Sequence, residues 1–164
     1  MSAKSRTRKS WQEKLADSKG LPKVGVISGR MTRRWGEGTM VVPAPIEVDE
    51  LMRKVPRGKV TTINQLRREL ARRHRVDIGC PITTGIFAWI AAHAAAEAAA
   101  AGKKRITPYW RTLKSTGELN EKYPGGIAAQ ARHLRAEGLM IEPGRGKKPP
   151  TVRNFERHLA TRFV

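Results

Sequence analysis

The sequence predicts an α+β domain that is mostly helical, on three observations. Two short alternating runs, Lys23 to Ser28 and Thr39 to Val42, read as strands near the start of the chain. The middle then reads as a short basic helix, a long Ala-rich helix, a compact loop and a further helix. The 33 Lys+Arg against 14 Asp+Glu give a formal net charge of +19, far beyond what solubility requires, and point to a polyanionic partner.

At 164 residues the chain is long enough for one real core with appendages. Cys80 is the only cysteine, so there is no disulfide framework and no cysteine-based zinc cluster. A reducing, intracellular setting is expected. The basic, Ser-containing start lacks the apolar stretch of a signal peptide, and no run approaches the ~18 apolar residues of a membrane span. A cytoplasmic or nucleoid location and no membrane partner follow as expectations.

Met1 to Lys9, with Lys4, Arg6, Arg8 and Lys9, reads as a disordered basic arm. Ser10 caps a short helix with Trp11 and Leu15 on one side, and Gly20 closes it. Arg30 to Gly36 reads as a basic turn between the two strands. Pro43-Ala-Pro45 stiffens the chain, and the boundaries drawn are 1–45 for a basic extension, 46–141 for the main domain and 142–164 for a basic linker and end segment.

From Glu47 to Lys54 the positions Val48, Leu51, Met52 and Val55 have helical spacing, with acids first and bases last as the helix dipole favours. Pro56-Arg57-Gly58 ends this helix. Thr61 or Thr62 caps the next, whose apolar stripe is Ile63, Leu66 and Leu70. Its other side carries Arg68, Arg72 and Arg75 at i, i+4 and i+7, flanked by Arg67 and Arg73, with Glu69 the one acid. Such a stripe suits phosphates. Cys80-Pro81 opens the longest helix, Ile82 to Ala101, with Thr83 and Thr84 in its first turn and Gly102 as its stop. Small residues at that end are poor at reading bases, so sequence-specific recognition is not expected. Lys103, Lys104 and Arg105 add a basic turn before Pro108-Tyr-Trp-Arg111. Ser115-Thr-Gly117 is a turn, Pro124-Gly-Gly126 opens a helix with Ile127 and Leu134 inward, and Gly138 ends it. Pro143 to Pro150 reads as a flexible basic linker, and Val152 to Val164 as an amphipathic segment carrying Phe155, Leu159 and Phe163.

Val55-Pro-Arg-Gly-Lys-Val-Thr-Thr62, the two helices after it, Pro108-X-X-Arg111, Ser115-Thr-Gly117, Tyr123-Pro-Gly-Gly126 and the helix ending at Glu137-Gly138 together resemble the C-terminal domain of O6-alkylguanine-DNA alkyltransferases and the alkyltransferase-like proteins. The resemblance covers roughly Val48 to Gly138. It implies a winged-helix-like DNA-binding domain that flips a damaged guanine into a pocket beside the reactive loop, at a cost of a few kcal/mol for unstacking. The implied lesion pocket is Pro108, Tyr109, Trp110, Arg111 and Tyr123. Taken with the charge patterning, the residues expected to meet DNA are Thr61, Thr62, Arg67, Arg68, Arg72, Arg75, Thr83, Thr84, Lys103, Lys104 and Arg105, although the stretch carrying Lys103 to Arg105 is an insertion relative to the family.

Departures from the family pattern decide the chemistry. The family's reactive cysteine falls on Tyr109 and its histidine on Trp110, while Pro108 and Arg111 are kept. A phenol with a pKa near ~10 has no thiolate-like nucleophilicity at neutral pH, so no catalytic residue is expected. The family's acid falls on Ala131, its phosphate-rotating tyrosine on Ile63, and its intercalating arginine near Thr83 or Thr84. Alkyltransferase-like proteins also lack the cysteine, bind alkylated DNA without repairing it and present it to excision repair. The resemblance therefore implies duplex DNA and excision-repair proteins as partners, with Tyr109 packing against a base or filling the former pocket.

Cys80 has no matched histidine partner, and His74 is six residues away. His93, His133 and His158 lack metal spacing, and no Gly-rich phosphate loop follows a strand, so neither metal nor cofactor is expected. A monomer is expected. Two rivals stand beside the damage reader. One is a non-specific architectural binder of DNA or RNA; the other is a divergent enzyme that uses new residues or Cys80.

Overall fold

A computed structural model describes residues 7–163. Most of the basic arm at 1–6, and Val164, lie outside the described residues. The elements run α1 (Trp11–Ala16), β1 (Lys23–Val26), α2 (Arg30–Trp35), β2 (Thr39–Val42), α3 (Pro45–Arg53), β3 (Thr61–Thr62), α4 (Ile63–His74), β4 (Ile78–Gly79), α5 (Pro81–Ala100), β5 (Thr112–Leu113), α6 (Gly126–Ala136), β6 (Ile141–Glu142) and β7 (Thr151–Val152). The protein is α+β and mostly helical, as expected. No described helix is long and apolar enough to cross a membrane.

Helix α5 is the spine. Its interior face is nearly all alanine, with Ala88, Ala91 and Ala92 at 0% exposure, and this lack of bulk lets α1 and α3 lie close against it. Around it Val48, Leu51, Met52, Leu66, Leu70 and Phe87 form the main core. A second core gathers Val60, Leu113, Leu119, Leu134, Leu139 and Val152 under the loops that follow α5.

Local chemistry fixes the helix starts. Ser10 Oγ accepts from Glu13 N–H while the Glu13 carboxylate accepts from Ser10 N–H, a reciprocal cap. Thr62, not Thr61, caps α4, its Oγ1 accepting from Gln65 N–H at 3.2 Å. Helix α3 begins two residues earlier than the acidic pattern suggested, because Pro45 is preorganised for the first helical position and Glu47 reaches back to Ala44 N–H at 2.8 Å. Helix α5 likewise starts on Pro81.

Two stretches depart from the sequence expectation. Arg30 to Trp35 is helix rather than turn: it contains no Gly or Pro, and Gly29 (φ 63) and Gly36 (φ 80) place the reversals outside it. Residues 143–150 are a hairpin tip rather than a linker. Strands β6 and β7 pair antiparallel, and the turn closes through Lys148 N–H to the Arg145 carbonyl at 2.9 Å. Composition suggested flexibility there, but buried Val152 and the bond from Leu119 N–H to the Pro150 carbonyl at 2.9 Å tie the hairpin down.

The sheets are small. Strand order β1-β2-β4 joins residues 23–42 to Ile78 and Gly79 across the Pro43–Pro45 stretch, β1 antiparallel and β4 parallel to β2. Strands β3 and β5 pair in parallel, and Val60 bridges Leu159. Gly117 adopts φ 83, and a Cβ there would run into the Phe155 ring. Gly117→Ala is therefore expected to destabilise the fold by about 2 kcal/mol, read from a urea melt.

Candidate nucleic-acid interface

The loop implied as a lesion pocket is assembled but filled. Pro108-Tyr109-Trp110-Arg111 ends in a single 3-10 turn, Tyr109–Arg111, leading into β5. The Tyr109 side chain is 5% exposed and lies edge-on to Trp110, Tyr123 and His133, with centroids 5.4, 5.9 and 6.3 Å away. Its hydroxyl donates to the Pro124 carbonyl only at 3.4 Å. Burial raises the Tyr109 hydroxyl above its ordinary range and does the same to Tyr123, so both phenols stay protonated at neutral pH. The five residues are thus brought together as packed aromatic and ionic structure.

Trp110 stacks on His133 at 4.1 Å, and its indole N–H donates to Glu137. Arg111 pairs with the same carboxylate at 2.8 Å and donates to the Val55 carbonyl at 2.8 Å. The Gly58 N–H adds a third donor at 2.9 Å. Burial works to raise the Glu137 carboxyl, but the Gly58, Trp110 and Arg111 donors outweigh it and hold the group below its usual range. The resemblance placed the family's acid at Ala131. Ala131 is a buried core residue, and the carboxylate facing Trp110 is Glu137, a turn and a half further along.

The residues expected to meet DNA do not form one surface. Thr61 and Thr62 are buried, Thr61 donating to Gln65 Oε1 at 2.6 Å. Thr84 is 0% exposed and donates to the Cys80 carbonyl at 2.6 Å, while Thr83 is half-buried. Arg67 is folded back on the Gly79 carbonyl and Asn64, both at 2.9 Å. Arg72 takes both oxygens of Glu69, and Arg73 shares that carboxylate. Arg68 is exposed, as is Arg75, which is the left-handed cap (φ 55) just past α4 rather than part of its stripe. Lys103, Lys104 and Arg105 are exposed, but beyond the far end of α5. That helix has 20 residues and so spans about 30 Å, which separates this basic turn from the helix start.

The open site lies at that start. A cleft of about 630 Å³ is lined by Ile63, Ile82, Gly85, Ile86 and Trp89 on the helix side and by Lys114, Asn120, Glu121 and Lys122 opposite. Ile82 and Ile86 are 54% and 46% exposed. The Trp89 indole donates to the Lys122 carbonyl at 3.2 Å, fixing one wall against the other. Behind it Trp89 packs edge-on to Trp11 at 4.8 Å. The next residue along the opposing segment, Tyr123, is buried against Tyr109, so the cleft adjoins the filled loop without including it.

In the sequence Ile82, Ile86, Trp89 and Ile90 are apolar at helical spacing, and the fold divides them: Ile82 and Ile86 are exposed, whereas Ile90 is buried. Helix α5 is apolar around most of its circumference, so spacing alone could not tell the core face from the open one. One signal was present in Gly85. A mid-helix glycine costs about 1 kcal/mol against alanine, and a Cβ there would meet nothing within 4 Å, so no internal packing requires it.

No protein-family model matches the sequence, and the comparison with curated proteins found no match. Among solved structures, the chain is similar to S. pombe Atl1 in complex with damaged DNA containing O6-carboxymethylguanine, with a TM-score of 0.50, 19% identity, and coverage of 72% of this chain and 94% of that one. It is similar at the same TM-score and coverage to S. pombe ATL in complex with DNA, with 18% identity. At this identity the likeness is one of backbone architecture, and the chain shares the fold of the S. pombe alkyltransferase-like protein.

Proposed function

We propose that the protein is a non-catalytic DNA-binding protein that recognises alkylated or otherwise damaged bases in duplex DNA, and that the cleft at the start of α5 receives the nucleotide. The observation that carries this reading is the cleft itself. Its floor of Ile63, Ile86 and Trp89 offers apolar and aromatic faces, Asn120 stands at its wall, and Lys114 and Lys122 stand at its rim. A base stacked on such a floor contributes about 1–3 kcal/mol. Gly85 lets a ligand approach the helix backbone, a use that balances its helical cost. The likeness to the fold of Atl1, whose structure contains damaged DNA, supports the same direction.

Nucleophilic alkyl transfer is not part of the proposal. Tyr109 is buried and protonated, and Cys80 is buried at the start of α5. The closed Tyr109 cluster favours a second reading, in which the lesion preference has been lost and the cleft grips undamaged DNA.

The test is an anisotropy titration of a duplex with one O6-methylguanine against the same duplex with guanine. Tighter binding to the modified duplex supports a damage reader, equal binding supports the second reading, and no binding to either removes both. Ile86→Glu places a charge on an exposed position of the floor and is expected to weaken DNA binding by roughly a hundredfold, the upper end of one base's stacking, with unchanged melting. Gly85→Ala separates fold from function: thermal stability should rise by up to about 1 kcal/mol while affinity falls. A Gly85→Ala protein that bound as well as wild type would remove the cleft from the interface.

A further inference from the structure

The hairpin at 143–150 is used by nothing described so far. It is built to be rigid. A Cβ at Gly144 would collide with the Lys148 carbonyl, Gly146 takes φ 57 at the turn, and Pro149-Pro150 stiffen the return strand. Bridges and bonds stitch it to the segment before the cleft wall: Glu118 pairs with Thr151, and Val152 N–H donates to the Gly117 carbonyl at 3.1 Å. Its tip carries Arg145, Lys147 and Lys148, all exposed. Among the described residues none of the three has a carboxylate at ion-pair distance; nearby Glu142 pairs with Arg153 at 3.7 Å and Glu121 with Lys114 at 3.3 Å.

A groove of about 580 Å³ runs between this tip and the 114–121 loop, lined among others by Lys114, Glu118, Glu121, Lys147 and Lys148. Lys114 and Glu121 also line the cleft, so groove and cleft adjoin at these two residues. The tip exposes Gly, Pro and cations but no large apolar side chain, a composition suited to a phosphate backbone rather than to a protein face.

We propose that this hairpin is a second nucleic-acid contact, a clamp on the phosphodiester backbone of the strand whose nucleotide enters the cleft. It rests on the cleft reading above and adds a sequence-independent contact to it. Rigidity means that the three cations are held out before binding, and an engaged Arg145, Lys147 and Lys148 would each displace condensed counterions.

The experiment uses the full chain and an Arg145→Ala, Lys147→Ala, Lys148→Ala triple variant. Both are titrated with the O6-methylguanine duplex and the guanine duplex over a series of NaCl concentrations, with duplex RNA as competitor. The clamp predicts roughly tenfold weaker binding to both duplexes alike, and a log–log salt slope shallower by about 1 for each side chain removed. Thermal melting should be unchanged; if it falls, Lys147→Gln with Lys148→Gln gives the same reading at smaller amplitude. A folded variant with wild-type affinity and slope would overturn the clamp while leaving the cleft to stand on Ile86→Glu. A reduced slope together with equal binding to both duplexes would retain the clamp and remove damage recognition. Failure of the wild type to bind duplex DNA, or preference for the RNA competitor, would overturn the proposal.

Discussion

Replacing Glu137 by alanine is expected to destabilise the protein by roughly 3–5 kcal/mol, the range for breaking a buried ion pair by removal of one partner. The Glu137 side chain is 4% exposed and accepts from Arg111, the Trp110 indole and Gly58 N–H, so three donors lose their acceptor together. Glu137→Gln keeps an acceptor oxygen without the charge and should fall between alanine and wild type. The same residue sets a pH dependence. Its carboxyl is held below the ordinary value of 4.5 in the fold, so its contribution is fully present above that value and is lost as pH falls through the lower folded one. Urea melts between pH 6 and pH 3 should show wild type losing more stability than Glu137→Gln. Parallel curves would sink the assignment.

The second large effect concerns Tyr109. Tyr109→Ala empties a site enclosed by Trp110, Tyr123 and His133 and should cost roughly 3–5 kcal/mol. Tyr109→Phe removes only a hydroxyl whose bond to the Pro124 carbonyl is long, and should change stability by less than about 1 kcal/mol. DNA binding by the phenylalanine variant should match wild type, because the ring supports the wall behind the cleft and does not line it. A binding defect in a stable Tyr109→Phe protein would mean that the hydroxyl meets the ligand after all. Loss of binding in Tyr109→Ala alone carries less information, since the wall would collapse with it.

Much of the architecture was legible because local chemistry and packing agree. Ser10, the Thr61-Thr62 pair and Pro81 each announce a helix start, and the fold uses Ser10, Thr62 and Pro81. The site was less legible, for two physical reasons. A helix apolar on most sides does not declare which of Ile82, Ile86, Ile90 and Phe87 faces outward; burial of Ile90 and Phe87, and exposure of the other two, is decided by α3 and α4. Charge patterning on α4 overstated the free cations, because Glu69 engages two arginines and the Gly79 carbonyl holds a third. The pairing of Arg111 with Glu137 was not legible either, because a helical register read from sequence has no anchor until its tertiary partners are known. Gly58 N–H and Trp110 supply that anchor for Glu137.

The bridge between Val60 and Leu159 bears on how the chain acquires its structure. Val60 N–H donates to the His158 carbonyl, and Ala160 N–H to the Val60 carbonyl, across about 100 residues of sequence. The Gln65 side-chain amide adds a bond to the Ala160 carbonyl at 2.6 Å, between residues nearly as far apart in sequence. A ribosome must therefore complete residue 160 before the core around Val60 can close, and closing so wide a loop makes this a late and slow event. Until then the apolar side chains of Val60, Leu113 and Leu134 stand open on a strongly cationic nascent chain, which exposes it to apolar association and to attraction by polyanions at the same time.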